Sequence, residues 1–199
     1  MTHVKSDIAM RIAQSDRAVG AMFFSIFGGA WLVLWTHRAM AGNPVVLAIV
    51  VSIATALGAL ALFRSRQMRR GVPMIEETPE KKRNDRIFHF VNAGQWILIL
   101  VLGNVLANMH LSEWVIPLAI FVIGLHFIPL AHLFSFRGHY LTGSALIILA
   151  AVYPHFAAGG ASDPVGCLGA GVILLLAAVM ALTSNGPGLL VRANQRSEE

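Results

Sequence analysis

The sequence predicts an all-α, polytopic integral membrane protein: six transmembrane helices with both termini in the cytoplasm. Three observations carry this expectation. First, only 13% of the 199 residues are charged and mean hydropathy is +0.68. A soluble domain carries about 25% charged residues, so this chain lacks the polar surface for a water-soluble enzyme, a disordered tail or a nucleic-acid-binding module. Second, six apolar stretches approach or exceed the length of a bilayer-crossing helix, about 17–25 residues. Third, the basic residues partition almost completely to one side. With the N-terminus inside, 14 of the 15 Lys and Arg fall in cytoplasmic segments and only Arg38 lies outside. That asymmetry is the positive-inside pattern, and it accounts for the net charge of +5 without invoking nucleic acid.

Residues 1–17 form a cytoplasmic N-terminal segment. Ile8 and Ile12, one helical turn apart, suggest either a short interfacial helix or a frayed tail. The first span, 18–35, is uncharged and holds Phe23, Phe24, Phe27 and Trp31. Ala39-Met40-Ala41 resembles a signal-peptide cleavage site, but His37 and Arg38 intervene after an apolar run too long for an h-region, so the run is read as an anchor. The second span, 44–63, opens on Pro44, well suited to a first helical turn. A cytoplasmic loop follows over 64–86, with eight basic residues, four acidic residues, Pro73 and Pro79. Its cluster Arg64, Arg66, Arg69 and Arg70 reads as a stop-transfer signal or a contact for anionic lipid headgroups.

The third span, 87–107, is apolar apart from His89, Asn92, Gln95 and Asn104. The fourth, 114–134, carries Pro117, His126, Pro129 and His132. The fifth, 140–156, is the shortest and ends around Pro154. The sixth, 165–183, starts glycine-rich and stops before a cytoplasmic tail, 184–199. Backbone in hydrocarbon must satisfy its own hydrogen bonds, so each span is a helix. Echoes such as Gly29-Ala30-Trp31-Leu32 and Gly94-Gln95-Trp96-Ile97 hint at repeated hairpins. Trp35, Trp114, Tyr140 and Tyr153 lie near span ends, where amphipathic rings anchor at the interface. Gly166 and Ala170, four apart, suit close helix packing within the chain or between copies.

The chemistry is bounded by what the spans lack. None contains Asp, Glu, Lys or Arg, which disfavours carboxylate pumps, voltage sensors and paired-aspartate intramembrane peptidases. The single cysteine, Cys167, excludes an intrachain disulfide and a multi-thiolate metal site. No P-loop, HExxH or histidine-box motif is present.

What remains polar gathers on the third and fourth helices. His89, Asn92 and Trp96 share one face by their spacing, with Gln95 beside it. Counted at about 1.5 Å per residue, His89 and His132 share a level near the cytoplasmic boundary. Asn92, Gln95 and His126 share a second level, roughly 8–12 Å inside. Neighbouring antiparallel helices would therefore enclose a polar patch of His89, Asn92, Gln95, His126 and His132. Such residues serve as interhelical hydrogen-bonding glue, as the lining of a small-molecule path beside Pro117 and Pro129, as metal or haem ligands, or as a general base. His126 and His132 lie about 120° apart around a straight helix, which argues against chelation. The only hydroxyl partners for a base are residues such as Ser25, Ser52 and Thr55. His37, His110 and His155 fall by the outside loops, where a shared zinc site is conceivable. His139 is expected in a solvent-exposed inside loop.

The sequence thus favours a non-enzymatic integral membrane protein, permease-like or a structural or interaction component, that calls for no cofactor. Its setting is read as a bacterial-type inner membrane and its partners as the bilayer, anionic headgroups and a further copy of itself, without nucleic acid. The alternative is a histidine-dependent membrane enzyme or a haem- or metal-binding membrane protein.

Overall fold

The computed structural model describes residues 2–70, 72, 79–134 and 136–184. The expected tail beyond Ser184 and the middle of the loop expected over 64–86, including Pro73, Glu76 and Glu77, lie outside the described residues. Within them the chain is helical, without strands: α1 (Thr2–Met40), α2 (Pro44–Arg69), α3 (Pro79–Asn108), α4 (Val115–Leu133), α5 (Arg137–Phe156) and α6 (Val165–Thr183). Single 3-10 turns at Ser112–Trp114 and Gly160–Ser162 introduce α4 and α6. Five of these helices, all but α5, are long and apolar enough to cross a membrane. Arg137, His139 and Tyr140 at one end of α5 and Pro154 and His155 at the other leave it less apolar.

Three of the helices run well beyond the apolar stretches that define them, and α5 begins three residues early, at Arg137. The N-terminal segment is neither a separate interfacial helix nor frayed where it is described: α1 continues through it for 39 residues without a break. The second span continues to Arg69, and the third begins at Pro79, so residues assigned to a loop are helical at both of its ends. The physical reason is that a polar residue marks the end of the hydrocarbon, not the end of a helix. Arg and Lys are good helix formers.

The turn between α1 and α2 shows how local chemistry sets an end. Ala41 and Gly42 adopt positive φ (51° and 73°), and the Gly42 N–H donates to the Thr36 carbonyl at 3.0 Å. Asn43 then caps α2, its side chain accepting from the Val45 and Val46 N–H groups at 3.0 and 3.3 Å. Pro44 occupies the first turn, where no N–H is needed.

In space the helices follow the order α2–α1–α6–α5–α4–α3, with α6 also touching α2 and α4. The buried core lies mostly on α1, α4, α5 and α6, around Phe24, Ile120, Leu146 and Leu174, with Ala61 of α2 joining it. Small residues bring backbones together at two crossings. A Cβ added to Gly171 of α6 would lie 3.0 Å from the Gly28 carbonyl oxygen of α1, and one on Gly143 of α5 would lie 2.7 Å from the Gly124 carbonyl oxygen of α4. Gly166 and Ala170 are both buried within the chain. Gly166 faces the Tyr153 ring. Tyr153, expected as an interfacial anchor, is only 5% exposed and donates its hydroxyl to the Ala161 carbonyl at 3.1 Å. The small residue opposite it makes room for the ring inside the protein.

Candidate functional site

The helices α3 and α4 are neighbours, joined by a short connection over 109–114. On α3 the residues turned to α4 are Val91, Gln95 and Leu98, at i, i+4 and i+7, the spacing of one helical face. Opposite them stand Val122, Leu125 and His126 of α4. Together these six line a cleft of about 180 Å³, room enough for several waters or a small solute.

Gln95 and His126 are the two residues of the expected patch that meet there. Asn92 is half-buried beside them without lining the cleft. His89 and His132 are exposed, and the His89 ring sits 5.7 Å from that of Phe88. Trp96 is 47% exposed. The face that meets α4 is therefore offset by one position, about 100°, from the stripe of His89, Asn92 and Trp96. Apolar Val91 and Leu98 set the packing, and Gln95 rides between them.

The polar groups of the cleft are under-satisfied. The Gln95 and Asn92 amides make no hydrogen bond among the described residues. The His126 ring reaches the Val91 backbone, but its Nδ1 is buried with no partner. An amide or imidazole nitrogen left unpaired away from water costs on the order of several kcal/mol on transfer scales. By contrast, Asn104 donates to the Leu100 carbonyl at 2.7 Å and Asn108 to the Asn104 carbonyl at 2.9 Å, so those amides are satisfied within α3.

His139 corrects an expectation. It lies in the first turn of α5, not in a loop, and is 9% exposed. Its ring stacks on Phe127 (5.8 Å, 17°) and is edged by Phe136 at 5.2 Å, Phe24 at 5.7 Å and Phe134 at 6.1 Å. Its Nδ1 has no partner. Phe127 also meets the edge of His126 at 5.7 Å, so one phenyl ring lies between the buried His139 imidazole and the half-buried His126 imidazole. A signal was present in the sequence: His139 falls three and four residues before Thr142 and Gly143, which continue as Leu146, Ala150 and Tyr153 along the buried stripe of α5.

The Ser25, Thr36 and Thr142 hydroxyls donate to carbonyls four residues back at 2.8–2.9 Å, a local bond that occupies the only proton each could give. Among the described residues no three His, Cys, Asp or Glu side chains converge as a metal site would require. His155 packs its ring 6.5 Å from Trp114.

The arginine cluster divides. Arg64 donates to the Leu182 carbonyl. Arg69 bonds the Ser15 hydroxyl at 2.9 Å and Asp16 at 3.1 Å. The Arg66 and Arg70 side chains have no partner among the described residues. The chain matches no protein family, no curated protein and no solved structure, so its own geometry carries the reading.

Proposed function

We propose that the protein is a non-enzymatic, permease-like membrane component whose α3–α4 cleft admits a small, uncharged, hydrogen-bonding solute. The observation that carries this reading is the unpaired Gln95 amide beside His126 in a cleft of about 180 Å³ with otherwise apolar walls. An amide at membrane depth wants a donor and an acceptor, and a solute or water passing through the cleft supplies both. The absence of any charged side chain in the spans favours neutral cargo over ions.

The topology proposed with it is six spans, N-in and C-in, in a bacterial-type inner membrane. The position of α5 between α4 and α6 supports counting it as a span beside the five more apolar helices. Reporter fusions after Arg38, Arg70, Glu113, Arg137 and Asp163 are expected to read outside, inside, outside, inside, outside. An outside signal after Arg70 overturns the arrangement.

Function is tested with glycerol and urea as probes in stopped-flow permeation of proteoliposomes. The wild type is expected to exceed protein-free vesicles, and Gln95→Leu and His126→Leu to return to the protein-free rate with folded yield retained. A wild type no faster than empty vesicles for both probes, or variants as fast as wild type, defeats the permease reading. A Soret band or stoichiometric metal in the purified protein would favour the histidine-based alternative.

One observation favours a second reading, an interaction component: among the described residues α3 packs mainly on α4 and its connecting turn, and none of its apolar window is buried. In that case Asn92 and Gln95 bond a neighbouring helix, and Asn92→Leu lowers the oligomeric state in detergent without changing permeation.

A further inference from the structure

A second pocket, of about 160 Å³, lies where α2 and α6 end beside the Gln14–Ala18 stretch of α1, far along the row of helices from the α3–α4 cleft. Its polar lining includes Gln14, Arg64 and Gln67, and its apolar wall includes Met68, Ala181 and Leu182. Among the described residues no acidic side chain lines it. We propose that this pocket binds the phosphate group of an anionic phospholipid.

The donor chemistry fits. Arg64 spends one N–H on the Leu182 carbonyl, and a guanidinium has five donors in a planar fork suited to phosphate. The Gln14 and Gln67 amides have no hydrogen-bond partner among the described residues, and each offers two more N–H groups. The last carbonyls of α6 carry partial negative charge that would repel an anion. That charge is met by Arg64 at Leu182 and by Arg17, which donates to the Ser184 carbonyl at 3.1 Å.

The surroundings favour a lipid over a soluble anion. Arg64 follows the apolar run Ala59–Phe63 directly. The α2 face bearing Arg64 and Gln67 continues deeper as Leu60 and Leu57, four and seven residues back, and Leu60 is 47% exposed. A phosphate held at Arg64 therefore has an apolar track for its acyl chain on the same helix face. Basic pockets between transmembrane helices are a recurring way to hold anionic headgroups. The site is built rather than diffuse: Arg69 is committed to Ser15 and Asp16, and Arg66 and Arg70 lie outside the pocket. This inference is independent of what passes the α3–α4 cleft.

The test is lipid retention by the full-length protein, read by native mass spectrometry after exchange into phosphatidylglycerol, phosphatidylcholine or inorganic phosphate. Phosphatidylglycerol is expected to outcompete phosphatidylcholine. Arg64→Gln is expected to weaken its retention about tenfold, the loss typical of hydrogen bonds to a charged group. Because Arg64 also holds α6, Gln67→Leu is the second variant. It leaves the Leu182 contact in place and is expected to weaken retention several-fold. Arg66→Gln and Arg70→Gln are expected to stay within about threefold of wild type at physiological salt, where exposed charges are screened. Losses at Arg66 or Arg70 equal to that at Arg64 would mean diffuse attraction to the membrane surface and would overturn the site. So would equal retention of the two lipids, or displacement of the lipid by inorganic phosphate alone.

Discussion

The two helices at the ends of the row, α2 and α3, are both lightly buried, yet they are attached by different means. Only 11% of the α2 apolar window is buried, and none of the α3 window. Nonetheless α2 is fastened to α1 along its length. A Cβ added to Gly29 would lie 2.7 Å from the Ala54 Cβ, so the two backbones are as close as their smallest side chains permit. At the end of the pair, the Ser15 and Ser65 hydroxyls lie 3.0 Å apart in a buried contact and Arg69 bridges Ser15 and Asp16. α3 has no such seam: Gly94 has nothing within 4 Å, and Gly103 meets only a Val115 methyl at 3.9 Å. Apolarity does not explain burial here, since α2 and α6 have mean hydropathies of 2.7 and 2.6 but 11% and 50% of their windows buried. Lipid is as apolar as a neighbouring helix, so small residues and polar bonds decide attachment. The helix without either carries the Asn92 and Gln95 amides, which make no hydrogen bond among the described residues.

Breaking the α2 seam should have the largest effect. Gly29→Val is expected to destabilise the protein by about 1–3 kcal/mol, the range for overpacking a close contact, measured by denaturant titration in detergent. A neutral result would mean that the α1–α2 approach is not tight. Removing the polar stitch comes next. Ser15→Ala is expected to cost about 1 kcal/mol, since it leaves Ser65 and Arg69 each without a buried partner. Equal stability of that variant and wild type would reduce the stitch to decoration.

The matching change on α3 should do little harm. Gly94→Ala meets open space and is expected to leave stability unchanged or raise it by at most about 1 kcal/mol, because alanine is the better helix former. Destabilisation there would show that α3 packs against something beyond α4. The smallest effect belongs to the turn joining α5 and α6, which touches neither edge helix. Asp163 accepts from the Val165 and Gly159 N–H groups, both at 2.9 Å, and these bonds hold its carboxyl below the usual value of 3.8. The sign follows: the bonds are fully present above 3.8 and are lost as pH falls through the lowered value. The Gly159 amide chemical shift should titrate with a midpoint under 3.8. A midpoint above that value would contradict the two bonds.

What could be read from the sequence was what local chemistry decides. Apolar runs mark the helices, and Asn43-Pro44 marks the start of α2. Counting residues into the membrane placed Gln95 and His126 at one level, and those two line the same cleft. The azimuth of α3 was harder, because Val91 and Leu98 look like any other apolar residue until α4 is beside them. His139 was misread because its burial comes from Phe24 of α1 and Phe127 of α4, side chains more than a hundred and about a dozen positions away. The spatial order of the helices was not legible either. It depends on pairs such as Gly28 with Gly171 and Gly124 with Gly143, and single glycines do not announce their partners.

The unbroken length of α1 makes it a drive shaft. At about 1.5 Å per residue its 39 residues extend for nearly 60 Å, roughly twice the hydrocarbon thickness. With no break, the rotational phase of its first residues is geared to the phase of the span. Each residue inserted just before Arg11, which bonds the Arg70 carbonyl at 2.7 Å, would turn the first residues by about 100° while Gly28 and Gly29 stay seated. Whatever meets the N-terminal end of α1 is therefore indexed, in angle as well as height, to the glycine crossings deep in the bundle.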